Sequence, residues 1–387
     1  MKKHPFIDPG LARRHRSAAL FKAMTKISLL ITLGFLFFFL FDMVRTALPA
    51  AWQTYVKVEV TYNTTSTRFT SRAVDKDYRD IVSRAWLRTI PKLVEANPEM
   101  MNTSEVRWVL ADDDVDQYMK DHYHTLKPDQ IEVVEALRAA GNIELKWNDI
   151  FFSNGDSKIP EFAGIQSAIV GSVLTLLVTM LLAFPIGVMT AVYLEEFSRD
   201  NRFTRFVEVN INNLAAIPSI LFGLLGLSVF INLFGLPRSS PLVGGMTLAL
   251  MTLPIIIVSA RAALRSVPAS IRQAGYGLGL TRQDIVKDHV MPVAMPGILT
   301  GSIIGLAQAI GETAPLIIIG MIAFIPDSPN SIMEAATVLP AQVFTWSGMP
   351  ERAYIEKTAA GIMVILSVLF ILNASAIYLR KKYEIKW

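Results

Sequence analysis

One carboxylate stands alone in a long apolar stretch of this chain. Between Pro292 and Pro326, Glu312 is the only formally charged residue, and it lies in the sequence AIGETAPL. An ionised carboxylate at the centre of a bilayer costs about 2.5–3.5 kcal/mol on insertion scales. If this stretch crosses a membrane, Glu312 is therefore a candidate functional residue.

Three neighbours would make a polar notch around Glu312. Gly311 has no side chain, so another helix or a ligand can approach its backbone, and Thr313 adds a hydroxyl. Pro315 follows Gly311 by four residues and has no N–H, so the Gly311 carbonyl loses its helical donor. The carboxylate could accept a hydrogen bond from a ligand or pair with an arginine of another subunit, and the sequence leaves both open.

Composition places these residues in a membrane protein. Of 387 residues, 52% are hydrophobic and 18% are charged, whereas soluble domains carry about 25% charged residues. The net charge of +4 is spread along the chain, which argues against nucleic-acid binding. The chain has no cysteine, which excludes disulfides and thiolate metal sites, and no motif predicts a cofactor or metal.

Six apolar segments are long enough to cross a membrane as helices of about 20 residues. They are Ile27–Ala47, Ile165–Leu194, Val207–Leu236, Leu242–Leu264, Val293–Ile325 and Thr358–Leu379.

Lysine and arginine in the short connections predict the orientation. One side carries nineteen of these residues and the other carries three, so the positive-inside rule places both termini in the cytoplasm. A basic tail (residues 1–26) then precedes a membrane anchor (residues 27–48). TALPAAW (residues 46–52) could also be a signal-peptide cleavage site, but the length of the apolar run favours a retained anchor.

Residues 49–160, between the first two spans, are predicted to form a small extracytoplasmic α+β domain. VKVEVTYN (residues 56–63) alternates like a strand, and residues 81–96 and 128–141 have amphipathic helical patterns. ADDDVDQY (residues 111–118) lacks the glycine and the glutamate of a calcium loop, so a solvated acidic turn is predicted there. The remaining residues, 161–387, form the membrane core.

Pro185, Pro218, Pro254 and Pro315 lie within predicted spans and are expected to kink them. Broken helices around a midplane site are typical of transporters, although proline is also common in membrane helices generally.

The loop between the fourth and fifth spans predicts two short helices. Ser270 and Gln273 have capping-box spacing, and Thr281 with Asp284 could cap a second helix. Gly275, Gly277 and Gly279 weaken the first helix and should end it near Gly279.

This loop resembles the coupling loop of ABC importer permeases, whose pattern is E-A-A, three residues, G, nine residues, I-x-L-P. The spacing matches throughout residues 265–292, and the matching positions are Gln273, Ala274, Gly275, Gly279, His289, Met291 and Pro292. Four side chains differ from the pattern: Gln for Glu, Gly for the second Ala, His for Ile and Met for Leu. In the family, this loop docks on the ATPase subunit.

GETAPL, IPSILFGLLGL, MPGILTG and the C-terminal tail resemble phosphate importer permeases of the PstA type, from about Ile165 to the C-terminus. Many relatives have an arginine where this chain has Gln308, so the resemblance implies that a phosphate-facing cation comes from the paired permease.

The resemblance implies an all-α polytopic fold with six transmembrane helices, a MetI-like ABC permease core and the inserted α+β domain. It also implies a non-enzymatic transport subunit in the lipid of a bacterial inner membrane. Its partners would be a second permease (PstC type), two copies of an ATPase subunit (PstB type) and a periplasmic phosphate-binding protein. The alternatives are a permease for another oxyanion or small solute, and a membrane-anchored sensor that uses the outer domain.

Overall fold

The computed structural model describes residues 11–383, with side chains for residues 13–382. Residues 1–10 of the predicted basic tail and residues 384–387 of the C-terminal tail lie outside this range.

Helices dominate the described residues, and three strands form one small sheet. In chain order, the helices are α1 (Leu11–Ala47), α2 (Thr64–Arg68), α3 (Arg84–Leu87), α4 (Ile90–Ala96), α5 (Asp113–Met119), α6 (Pro128–Ala139), α7 (Asp149–Ser153), α8 (Gln166–Val192), α9 (Arg202–Ala215), α10 (Ser219–Leu225), α11 (Pro241–Arg265), α12 (Ala269–Gly277), α13 (Arg282–Asp284), α14 (Met291–Gly311), α15 (Ala314–Ile318), α16 (Leu339–Ser347) and α17 (Ala353–Tyr383). The strands are β1 (Trp52–Tyr62), β2 (Thr103–Leu110) and β3 (Ile143–Trp147). Wider π-helical turns extend α8, α10 and α13 at Tyr193–Phe197, Gly226–Leu233 and Ile285–Val290.

Within residues 11–383, five continuous helices are long and apolar enough to cross a membrane, and a sixth candidate is a bent pair. The five cover Arg13–Ala51, Gln166–Phe197, Pro241–Arg265, Arg282–Gly311 and Ala353–Lys382. The predicted fold class, a polytopic helical membrane protein with a small inserted α+β unit, is confirmed.

The third predicted span, Val207–Leu236, is wrong as a single helix. It consists of α9 and the α10 segment, which meet at an angle of 103° around Pro218. Proline disfavours the helical conformation of the preceding residue, which explains why the break falls there. The second piece, Ser219–Leu233, is about 22 Å long at 1.5 Å per residue, which is shorter than a hydrocarbon core of about 30 Å.

Pro185 and Pro254 behave differently, because both lie inside continuous helices, in α8 and α11. These two helices pack tightly through small residues. A Cβ added to Gly245 would lie 2.5 Å from Cβ of Val178, and one added to Gly187 would lie 2.7 Å from a methyl group of Ile256. Two prolines therefore sit within the best-packed pair of helices rather than at breaks.

The sheet of the insert (residues 49–160) has the order β2-β1-β3 and is antiparallel throughout. Val56, Val58, Val60 and Tyr62 of β1 are buried while Lys57 and Glu59 are exposed, as the alternation predicted. The buried face packs against the helices of the insert, which include the predicted amphipathic segments in α3, α4 and α6.

The acidic segment at residues 111–118 is not a solvated turn. It forms α5, with Asp112 as the N-cap, and Asp116 is buried. One carboxylate oxygen of Asp116 accepts the Thr54 N–H at 2.8 Å, and the other accepts from Lys120 Nζ at 2.7 Å. The helical register turns Asp116 inward toward these partners, which local sequence could not reveal.

Lys120 also joins the insert to the last membrane helix. Its Nζ donates to Oε1 of Glu356, in the first turn of α17, at 2.7 Å. Beside it, Lys357 Nζ donates to the Ala163 carbonyl at 2.9 Å. Because these groups are buried, the polar joint fixes the insert against the start of α17.

Candidate translocation site and coupling loop

The helix that precedes the candidate carboxylate ends just before it. α14 stops at Gly311, and Glu312 follows with an extended backbone (φ −80°, ψ 111°) and donates its N–H to the Ala309 carbonyl at 3.2 Å. The short α15 begins at Ala314 and holds Pro315 in its first turn, where a missing N–H costs nothing. The chain therefore breaks at Glu312 and starts a second helix.

The predicted fifth span, Val293–Ile325, is accordingly wrong beyond Gly311. The continuous helix runs from Arg282 to Gly311 instead. Leu316 in α15 lies beside Gly244, near the start of α11, so the break is close to the ends of the helices that adjoin the insert. Glu312 thus lies at a helix end and not at the middle of a span.

The short helix after the break at Glu312 packs against the helix after the break at Pro218. A Cβ added to Gly223 of α10 would lie 2.7 Å from the Pro315 Cα and 2.9 Å from the Pro315 carbonyl oxygen. One added to Gly226 would lie 2.5 Å from the hydroxyl oxygen of Thr247 in α11. No sequence pattern pairs these segments, although Gly223 and Gly226 are small residues spaced along one face of an apolar helix.

The five predicted site residues are neighbours, but they do not share one environment. Gln308 and Gly311 are exposed, Glu312 and Thr313 are half-buried, and Pro315 is buried against α10. A Cβ added to Gly311 would meet no atom within 4 Å, so nothing in the described chain makes the close approach predicted there. That approach stays a prediction for a ligand or a second subunit.

Within residues 13–382, the Glu312 side chain makes no hydrogen bond and no ion pair, and the Thr313 hydroxyl makes no hydrogen bond. The cation at the end of α15 is Arg238, which is exposed and lies over Gly320. Its Nε would be 2.9 Å from a Cβ on Gly320, which adopts a positive φ of 97°. Arg238 also has no carboxylate within 4.0 Å among the described residues. In the sequence, Arg238 is one positive charge in a short connection, and no pattern indicates its position over Gly320.

The coupling loop forms a compact pair of short helices. α12 begins after Pro268, so the predicted capping box at Ser270 is wrong: Ser270 lies inside the helix. The helix ends as predicted, because Gly279 adopts a φ of 78° and Leu280 donates its N–H to the Gly275 carbonyl at 3.1 Å.

The second predicted cap in this loop is present. The hydroxyl oxygen of Thr281 accepts the N–H of Asp284 at 3.3 Å. This places the start of α13 where the sequence indicated.

Close packing explains the glycine at position 275 of the coupling loop. A Cβ added to Gly275 would lie 2.6 Å from the Ile285 side chain, so glycine at this position lets α12 lie directly on the following π-helical turn. On the opposite side, Tyr276 is 53% exposed and Leu278 is 80% exposed. The pair of helices therefore presents an apolar tip. Gln273, Ala274 and His289 are also exposed, whereas Met291 is half-buried.

Arg272 attaches α12 to the membrane helices. Its guanidinium binds both oxygens of Glu196, at the end of the α8 extension, with distances of 2.5 Å and 3.3 Å. It also donates to the carbonyls of Val267 and Leu264, at 2.8 Å and 3.0 Å, near the end of α11. Arg272 thereby connects α12 to the ends of two spans. The insert and this attachment lie at opposite ends of α8.

Comparison with known proteins agrees with this arrangement. Residues 183–385 match the family model described as "Binding-protein-dependent transport system inner membrane component", and residues 8–69 and 62–128 match a domain of unknown function, DUF3333. The phosphate transport system permease protein PstA of Mycobacterium leprae is 36% identical over 211 residues, which cover 54% of this chain and 68% of that protein. The probable ABC transporter permease protein YqgI of Bacillus subtilis is 30% identical over 239 residues, covering 58% of this chain and 81% of that protein.

Among solved structures, an inward-facing form of the MetNI methionine ABC transporter aligns with 57% of this chain and 95% of its own, at 16% identity and a TM-score of 0.44. The family model alone covers more than half of the chain, including the coupling loop and both breaks. The chain belongs to the binding-protein-dependent transport system inner membrane components, the membrane permeases of ABC transporters.

Proposed function

We propose that this permease forms half of the translocation path of an ATP-driven importer of inorganic phosphate. The observation that carries the proposal is the break at Glu312, where the carboxylate has no partner among the described residues and the following helix packs on α10. The relatives that are named as PstA phosphate permeases support the choice of substrate.

A carboxylate beside an anion path has a chemical use. Protonated phosphate carries hydroxyl donors, and an ionised Glu312 can accept a hydrogen bond from one of them. A site built around such a bond rejects analogues that lack the donor, such as sulfate at neutral pH. Arg238, at the far end of α15, supplies an exposed guanidinium that can bind phosphate oxygens.

The rival role for Glu312 is an ion pair with an arginine of the second permease, since charges within membranes usually find a protein partner. In that case Glu312 would fix the interface between the two subunits without touching the substrate. The exposure of Gln308 and Gly311 on the same helix end is compatible with either role.

The coupling loop supports the proposed partners. Its exposed tip, with Tyr276 and Leu278, offers an apolar surface to a cytoplasmic ATPase. The full assembly would contain a second permease (PstC type), two ATPase subunits (PstB type) and a periplasmic phosphate-binding protein. We place it in a bacterial inner membrane with both termini in the cytoplasm. ATP-driven movement of α12 would then act through Arg272 on α8 and α11.

The test is reconstitution of the chain with its co-purified partners in vesicles, followed by phosphate uptake and phosphate-dependent ATP hydrolysis. Sulfate and molybdate serve as competitors at tenfold excess. Uptake of phosphate that neither anion inhibits is expected. Equal inhibition by sulfate or molybdate would favour the rival oxyanion permease instead.

Glu312→Gln separates the two roles of the carboxylate. We expect the variant to assemble with its partners and to lose uptake, because the amide presents one acceptor in place of an anionic pair. Glu132→Gln is the matched control, since Glu132 is exposed in α6 of the insert. Loss of co-purification with the second permease would assign Glu312 to the subunit interface.

A further inference from the structure

A cavity lies where α1, α17 and the insert meet, away from Glu312 and Pro218. Its volume is about 340 Å³. The last turns of α1 contribute Asp42 and Arg45, and the start of α17 contributes Arg352 and Glu356. Gln117 of α5 closes the cavity from the insert.

Two side chains that line this cavity each carry a buried polar atom without a partner. Gln117 is 3% exposed, and its Nε2 makes no hydrogen bond. Glu356 is also 3% exposed; Lys120 occupies its Oε1, while Oε2 makes no hydrogen bond. The nearest imidazole nitrogen, Nδ1 of His122, is 4.0 Å from that oxygen, which is too long for a hydrogen bond. One donor, Gln117 Nε2, and one acceptor, Glu356 Oε2, are therefore without hydrogen-bond partners.

The exposed charges around the cavity are also unpaired. Among the described residues, neither Arg45 nor Arg352 has a carboxylate within 4.0 Å, and Asp42 has no cation within that distance. Arg352 instead lies 5.1 Å above the ring of Tyr123. The positive charges of Arg45 and Arg352 offset the negative charge of Asp42 and the net negative charge of the buried cluster. In that cluster, Lys120 contacts the two carboxylates of Asp116 and Glu356. The cavity thus suits a ligand with both a negative and a positive end.

The position of the cavity identifies the kind of ligand. It lies at the end of one candidate membrane helix (Arg13–Ala51) and at the start of another (Ala353–Lys382). Charged and polar side chains at such ends are at the level of the lipid headgroups. The exposed apolar face of α1 next to it, with Phe37, Phe38 and Phe41, offers contact to acyl chains.

We propose that this cavity binds the headgroup of an amine-bearing phospholipid, with the phosphate on Arg45, Arg352 and Gln117 Nε2 and the ammonium on Asp42 and Glu356 Oε2. A primary ammonium donates hydrogen bonds, which the free Glu356 oxygen requires. A choline headgroup has no such donors, and a glycerol headgroup has no positive charge. The lipid would bridge α1, α17 and the insert and add to the apolar packing and the buried joint that already connect them.

The experiment is native mass spectrometry of the full-length chain in detergent, after exchange into phosphatidylethanolamine, phosphatidylcholine or phosphatidylglycerol. One phosphatidylethanolamine per chain should be retained, in preference to the other two lipids. The doubly substituted Arg45→Gln/Arg352→Gln chain should retain at least about tenfold less phosphatidylethanolamine than the wild type, since each substitution removes a charge-assisted hydrogen bond. Arg88→Gln, an exposed arginine elsewhere in the insert, is the control.

Both arginines are exposed, so thermal unfolding of the variant should match that of the control and show that folding is intact. Equal retention of phosphatidylcholine, or unchanged retention in the doubly substituted chain, would overturn the proposal. Water-soluble phosphoethanolamine provides the second arm. If it stabilises the lipid-free chain in an Arg352-dependent way while no phosphatidylethanolamine is retained, the cavity takes a soluble ligand and the lipid assignment is refuted.

Discussion

The ion pair between Arg272 of α12 and Glu196 at the end of α8 allows a quantitative test of how the coupling loop is held. The Glu196 side chain is only 6% exposed and that of Arg272 is 24% exposed. Removing one partner of a buried pair costs about 3–5 kcal/mol, because the other charge is left desolvated and unpaired. Since Arg272 is partly solvated, we expect the lower end of that range, about 3 kcal/mol.

That cost should appear as local opening of the loop. At 1.4 kcal/mol per factor of ten, the population in which α12 has detached should rise about a hundredfold in Arg272→Gln. Hydrogen exchange of the backbone amides in residues 269–280, measured on the purified protein with its partners, reports this population. Uptake should fall in parallel, because a detached α12 no longer moves α8.

The double-mutant cycle with Glu196→Gln isolates the pair. The doubly substituted chain contains two neutral amides and no buried unpaired charge, so its opening should be much less than the sum of the two single effects. Lys287→Gln is the control, because Lys287 is exposed in the same loop. Additive effects in the cycle, or wild-type exchange in both single variants, would refute the claim that this pair holds the loop.

Three further outcomes follow from the packing and the charges. Gly223→Ala places a Cβ 2.7 Å from the backbone of Pro315, so it should displace α15 and reduce uptake by an order of magnitude, measured in vesicles beside the wild type. A Cβ at Gly311 would meet no atom within 4 Å in this chain, so Gly311→Ala should leave the stability of the isolated subunit normal. Loss of uptake in this variant would locate a partner or substrate at that position, whereas normal uptake would place none there. Burial, followed by repulsion from Glu161, raises the pKa of the Asp113 carboxyl from its ordinary value of 3.8 to about 8. Between these two pH values, the folded chain keeps a proton on Asp113 that the unfolded chain has released. Stability contributed by this group is therefore lost as the pH rises toward 8, and Asp113→Asn should flatten the fall of Tm between about pH 5 and 8; an unchanged slope would contradict the assignment.

Much of the membrane architecture could be predicted because its signals are local. Apolar runs of about 20 residues mark helices wherever they pack, since the bilayer forces each backbone group to find an internal partner. The end of α12 and the start of α13 in the coupling loop could be predicted for the same reason, although the cap predicted at Ser270 was wrong. Gly279 ends α12 because only a residue that tolerates a positive φ fits there, and the Thr281 cap depends on a residue three positions away.

The breaks could not be located in the same way. Four prolines had the same local setting, yet Pro185 and Pro254 lie in continuous helices, whereas Pro218 and Pro315 accompany breaks. A proline inside a helix removes one hydrogen bond, whereas a proline at the start of a helix removes none. Whether the chain bends there depends on which neighbours pack against it, and those neighbours are distant in sequence.

The sequence by itself determined the class of protein, the number of apolar segments and the isolation of Glu312, because hydropathy and charge are properties of each segment alone. Only the tertiary structure decided that Pro315 packs on Gly223, that Asp116 is buried on Lys120, and that Arg272 reaches Glu196. Each of these contacts depends on the direction of a side chain on a helix and on the position of a second element. Local patterns specify neither, because the free energy that selects them comes from packing across the whole fold.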